Sequence, residues 1–157
     1  MESALIELER MFKQNKVGFT ASSFDLLHAG HILMLEEAKT VCDHLIVALH
    51  TDPSIDRPEK RKPIQSVVER QIQLKAVKYV DEVVVYETEE DLMNLLKTLP
   101  IDIRIVGEDY VGKNFTGFEY CANNDIEIYY NSRRHNYSST ELLERIRGDR
   151  RKGSPEK

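Results

Sequence analysis

Five short runs of apolar and β-branched residues recur along the chain, each followed by a stretch of helical character. They are "VGFTA" (17–21), "HLIVALHT" (44–51), "EVVVY" (82–86), "IDIRIVG" (101–107) and "IEIYY" (126–130). Each has the length and composition of a buried strand. Helices are expected from about Ala29 to Cys42, from Ser66, over "TEEDLMNLLKTL" behind Thr88, briefly over "FEYCANN", and from "SSTE" to about Arg147. "SVVE" and "SSTE" match the capping box, with Ser66 and Glu69, and Ser138 and Glu141, as the reciprocal pairs. The acids after Thr88 suit the positive end of a helix dipole. Strands alternating with helices predict an α/β chain, a doubly wound five-stranded parallel sheet with helices on both faces, Rossmann-like in type. Such sheets bind ligands beyond the carboxyl ends of their strands, where strand order reverses.

The 157 residues suit one domain with a self-sufficient core, and 41% hydrophobic with 31% charged residues is ordinary for a globular chain. Leu5, Ile6, Leu8 and Met11 sit at helical spacing between Glu2 and Gln14, so residues 1–16 read as a helical extension ahead of a domain at 17–147. The tail "GDRRKGSPEK" (148–157) lacks apolar periodicity and is expected to be loose. No apolar run approaches the ~20 residues that span a bilayer, and the N-terminus lacks the order of a signal peptide. The expectation is a cytoplasmic protein without a membrane partner. A net charge of −5 argues against general nucleic-acid binding. Cys42 and Cys121 lie in no metal-ligand or disulfide spacing and read as small buried side chains.

Chemistry is to be sought first in "SSFDLLHAGH" (22–31), which leads from a strand end into a helix N-terminus. Free N–H groups and the helix dipole make such a point receptive to phosphate. His28 and His31 project from nearly the same side of the first turn, and Gly30 would let a ligand approach the backbone. A capping histidine beside a partly buried one accounts for the spacing equally well. "RPEKRKP" (57–63) sets four basic residues against one acid, the pattern of a solvated loop or of a phosphate grip.

Taken together, "FDLLHAGH", "YVDEV" (79–83), "VGEDYVGK" (106–113) and "SRRHNYSSTEL" (132–142) resemble the ordered motifs of the cytidylyltransferase-like HxGH nucleotidyltransferases, with the glycerol-3-phosphate cytidylyltransferases as the nearest branch. The similarity runs from Val17 to about Ile146. It implies transfer of CMP from CTP to a small phosphomonoester, glycerol 3-phosphate first, with release of pyrophosphate and without a covalent intermediate. The resemblance assigns catalysis to His28, His31, Lys62 and Arg133, with Lys60 and Arg61 as second choices for the loop lysine. Ser23, Phe24, Gly30, Gly107, Asp109, Tyr137, Ser138 and Ser139 fall on nucleotide-binding positions, joined by Thr140. Asp25, Lys62, Arg70 and Lys78 fall on the acceptor side, and Asp81 would position basic groups. Mg²⁺ bridging the phosphates is implied, with no protein metal site, and so is a homodimer. Adenylyl transfer to a sugar 1-phosphate or to flavin mononucleotide, and a non-catalytic nucleotide-binding module, are the alternatives. Ser22 stands where relatives commonly have glycine, Lys78 where they have arginine, and Asn136 and Tyr137 replace Gly and Ile of the RTxGISTT element.

Overall fold

The computed structural model describes residues 4–5 and 15–152, so the expected helix over Glu2–Gln14 lies, but for two residues, outside the described part. Five strands form one sheet: β1 (Val17–Ser22), β2 (His44–His50), β3 (Glu82–Tyr86), β4 (Ile103–Gly107) and β5 (Glu127–Asn131). Their order is β3-β2-β1-β4-β5 and every pairing is parallel. Helices α1 (Ala29–Thr40), α2 (Val67–Lys75), α3 (Glu89–Thr98), α4 (Phe118–Asn123) and α5 (Ser139–Lys152) fill the connections, with a 3₁₀ turn at Glu108–Tyr110. The doubly wound α/β fold expected from the alternation is therefore the observed one. The final helix continues to Lys152, five residues beyond Arg147 and into the segment read as loose.

Two cores, one on each face, explain why the strands read as nearly continuous apolar runs. Leu45, Val47 and Leu49 of β2, with Ile103 and Ile105 of β4, pack against Leu35 and Ala38 of α1 and Leu74 of α2. Phe19, Ile46 and Ala48 point the other way, onto Leu92 and Leu96 of α3 and Cys121 of α4. Both cysteines are free and buried.

Side chains secure the starts of α2 and α3. Ser66 Oγ accepts the Glu69 N–H at 3.1 Å while Glu69 accepts the Ser66 N–H at 2.7 Å, the full reciprocal pair. Thr88 forms the same arrangement with Asp91. At the amino edge of the sheet, Asp43, Asp81 and Asp102 accept the backbone N–H groups of Lys16, Leu45 and Val17. Asp81 also accepts from Lys39, so this acid positions the start of β2, away from the loops at the carboxyl edge.

Strand order reverses at β1, which lies between β2 and β4. The crevice beyond the carboxyl ends of β1 and β4 is the ligand position of this architecture.

Candidate active site

The turn after β1 holds two non-glycine residues in the left-handed region, Phe24 at φ 46° and Leu26 at φ 52°. Each costs on the order of 1–2 kcal/mol, and the surroundings over-determine the conformation. Phe24 is buried in the core beneath α1. Asp25 accepts the N–H groups of Ile64 at 2.8 Å and Gln65 at 2.9 Å, and the Leu26 N–H donates back to Gln65 Oε1 at 2.8 Å. Asp25, expected on the acceptor side, thus spends both carboxylate oxygens in fastening two loops together.

Arg70 completes the fastening. The residue is 2% exposed, and its guanidinium donates to the carbonyls of Ser23, His50, Thr51 and Gln65 at 2.6–3.1 Å. The structure therefore gives this arginine, also expected on the acceptor side, a role in holding the main chain.

The strained turn delivers His28 to the N-cap of α1. His28 Nδ1 accepts the Gly30 N–H at 3.0 Å, and His31 Nδ1 accepts the His28 N–H at 3.2 Å. Two histidines thus form a capping box, and the same two rings line the cavity at the carboxyl edge. With each Nδ1 accepting, the neutral ring carries its proton on Nε2. Burial, followed by His28, pushes His31 down to about 4. Burial, with His135 and Arg133, also lowers His28. Both rings are neutral N–H donors near pH 7, and their centroids lie 3.9 Å apart.

The other wall comes from the end of the chain. His28 Nε2 lies 3.2 Å from Ser139 Oγ, at the first turn of α5. Ser138 caps that helix by accepting the Glu141 N–H at 3.1 Å. The segment before it is anchored by Glu37, which accepts from Tyr129 Oη and from the Ser132 N–H and hydroxyl at 2.6–3.0 Å. A Cβ on Gly30 would meet the Tyr137 carbonyl at 2.7 Å, so the glycine admits the 135–137 segment over α1.

These walls enclose a cavity of about 1340 Å³ at the carboxyl edge, roomier than the ~300–1,000 Å³ of a single small-molecule pocket. It brings together Ser23, Asp25, His28, Gly30, His31, Gly107, Asp109, Arg133, Tyr137, Ser138, Ser139 and Thr140. Phe24 lies beneath it in the core. Lys60 and Arg61 line it, whereas Lys62, the first choice for the loop lysine, does not. Lys78 lies elsewhere, in a shallow apolar depression between α1 and α2, with Nζ 5.2 Å above the Tyr79 ring.

Among the cavity residues outside the sequence reading are His135 and Arg104, while Arg57 comes from the basic run 57–63. His135 stacks on Tyr137 and stood in plain view within "SRRHNYSST". Arg57 pairs with Glu89 at 3.7 Å. Arg104 had one signal, a charge inside the apolar run "IDIRIVG". Among the described residues no three His, Cys, Asp or Glu side chains gather as a metal cage, and no helix is long and apolar enough to cross a membrane.

Comparison with known proteins agrees with this geometry. The bifunctional protein HldE of Campylobacter fetus subsp. fetus (strain 82-40) is 32% identical over 152 residues, which covers 94% of this chain and 32% of that protein. The chain thus spans about a third of the length of the curated relatives it matches. Among solved structures, a lipopolysaccharide core biosynthesis protein from Thermoplasma volcanium superposes with TM-score 0.61 at 26% identity, over 78% of this chain and 98% of that one. Pantothenate synthetase from Thermus thermophilus shares the fold, with TM-score 0.58 at 14% identity over 95% of this chain and 75% of that one. The cytidylyltransferase-like description matches residues 19–145, the span that carries both walls of the cavity, and the chain belongs to this family of nucleotidyltransferases.

Proposed function

We propose that this chain transfers a nucleotidyl group from a nucleoside triphosphate to a sugar phosphate, releasing pyrophosphate. The reading rests above all on two neutral histidines that stand between the N-termini of α1 and α5 at one cavity. An acceptor phosphate oxygen attacks the α-phosphorus in line; the new P–O bond forms as the bond to the β-phosphate oxygen breaks. Nε2–H of His28 and His31 would donate to the α-phosphate oxygens as charge shifts outward, which is the main catalytic requirement of such a reaction. Lys60 and Arg61, with Arg57, would hold the departing pyrophosphate, and Arg133 would offer planar donors to the triphosphate. Lys62 and Lys78 have no part in this reading, while Asp25 and Arg70 act through the loops they fasten.

Adenylyl transfer to a sugar 1-phosphate is preferred here to CTP and glycerol 3-phosphate. Kinship to HldE and to a lipopolysaccharide core protein supports a sugar acceptor and ATP. Asp109 suits either base, because adenine N6 and cytosine N4 are both amino donors to a carboxylate. The cytidylyltransferase-like family description keeps CTP as the second reading.

Mg²⁺ belongs to the same proposal. The donor set fits an ion carried by phosphate oxygens: of the cavity carboxylates, Asp25 is engaged by Ile64 and Gln65 and Glu89 by Arg57, and Glu108, Asp109 and Glu119 do not gather with others as a metal cage among the described residues. When bound it would neutralise phosphate charge.

Pyrophosphate release measured with ATP and with CTP, against sugar 1-phosphates and glycerol 3-phosphate, tests the whole reading. Turnover with ATP and a sugar 1-phosphate is expected; preference for CTP would install the second reading, and no release with any pair would defeat both.

A further inference from the structure

The nucleotide reading leaves two cavity cations unemployed, the exposed Lys97 on α3 and the buried Arg104. Arg104 lies on β4 with Phe19 and Ile128 as its register partners, and its side chain enters the face covered by α3 and α4, opposite α1. It sits three residues before the end of β4, about 10 Å below the carboxyl edge at ~3.3 Å per residue. The residue is 5% exposed and still lines the cavity.

An arginine so placed needs a counter-charge. Among the described residues it joins no ion pair, and its hydrogen bond goes to the Thr116 carbonyl. The Phe115 ring lies 4.9 Å from the guanidinium carbon. Of its other neighbours, Cys121 and Tyr86 are neutral groups near pH 7, raised by burial, and Glu89 is engaged by Arg57. A buried cation without a partner is costly, and the fold makes room for this one at Gly117. There φ is +85°, and a Cβ would meet Arg104 Nη1 at 2.8 Å.

We propose that Arg104 binds a second anionic group on the acceptor, remote from the phosphate that reacts, so that the acceptor is a sugar 1-phosphate carrying a carboxylate or a further phosphate. This rests on the transferase reading above. The histidines, Lys60, Arg61 and Arg133 already serve the triphosphate, while Arg104 is the buried cation on the other face of the sheet, with the exposed Lys97 of α3 as the further cation lining the cavity there. An acceptor with its reacting phosphate at the carboxyl edge would extend down that face to reach it. A guanidinium suits both anions through its planar fork.

The test compares equilibrium binding of glucose 1-phosphate, glucuronic acid 1-phosphate and glucose 1,6-bisphosphate, each in the presence of a non-hydrolysable ATP analogue. One or both probes with a second anionic group should bind roughly tenfold to hundredfold more tightly than glucose 1-phosphate, the worth of a charge-assisted hydrogen bond. Which of the two gains identifies the carboxylate or the phosphate as the group held. In R104Q, whose amide can still donate to the Thr116 carbonyl, that ratio should collapse towards one. R104K, which keeps the charge without the fork, should recover part of it. Equal affinity for all three probes in the native protein, or an undiminished ratio in a folded R104Q, overturns the proposal. Failure of the transferase reading shows separately, as absence of pyrophosphate release with every acceptor.

Discussion

His31 accepts the backbone N–H of His28 through Nδ1 at 3.2 Å, so the second histidine caps the first while both rings line the cavity. Helix capping and the proposed phosphate chemistry share one pair of rings. A titration follows from this, because His31 falls to about 4 from an ordinary value of 6.5. Between those values the unfolded chain binds the extra proton and the folded chain does not. Stability is then fully present above pH 6.5 and declines as pH falls towards 4. The thermal midpoint should drop over that window in the native protein and drop less in H31N; parallel profiles would count against the shared role.

The two roles of His28 can be separated by H28N. Asparagine is a strong N-cap, so the melting temperature should hold within a few degrees. Turnover should fall roughly a hundredfold to a thousandfold, the usual loss for one donor to developing charge. Wild-type kcat in a stable H28N would remove the imidazole from the mechanism.

Arg70 distinguishes a main-chain clamp from an acceptor ligand. R70K retains charge but cannot span four carbonyls, and buried groups left unpaired cost about 1–3 kcal/mol each. Chemical denaturation should show a loss of roughly 2–4 kcal/mol. A fully stable R70K with a raised acceptor KM would restore the acceptor role first expected of it.

In the basic loop, K60A and R61A should each raise the nucleotide KM roughly tenfold, as loss of a charged phosphate contact does. K62A should raise it far less, since that side chain lies off the cavity. The opposite ranking would return the first choice to Lys62.

The homodimer implied by the family resemblance has a surface to test. Val68 and Ile72, 59% and 64% exposed, share one side of α2 near the exposed Ile64. Light scattering is expected to give twice the 18.2 kDa chain mass, and V68E/I72E to give the single mass. A native monomer would end that expectation.

Much of this was legible from local pattern. Strand order aside, the five apolar runs, the Ser66 cap and the Thr88 helix start depend on residues within a few positions of one another, and each stands where periodicity put it. His28 and His31 were legible for the same reason. Arg70 was not, because its partners lie 5 to 47 residues away along the chain and a guanidinium on a helix carries no mark of where it ends. Asp25 is alike, reaching 39 and 40 residues to Ile64 and Gln65. Choosing among Lys60, Arg61 and Lys62 required the path of the loop, which charge alone does not specify. Arg104 did announce itself, as the one charge within its strand, but only the cavity gives that charge a purpose.

The Arg70 clamp has a consequence for the basic loop as a unit. It grips the carbonyls of His50 and Thr51 at one foot of the loop and of Gln65 at the other, while Asp25 secures Ile64 and Gln65 to the turn that carries the histidines. Everything between those feet hangs from fixed points. Lengthening a loop costs little once its ends are set, only ~0.6 kcal/mol for each doubling. Residues 52–63 therefore form an interchangeable cassette, in which length and charge can diverge while the histidines keep their geometry.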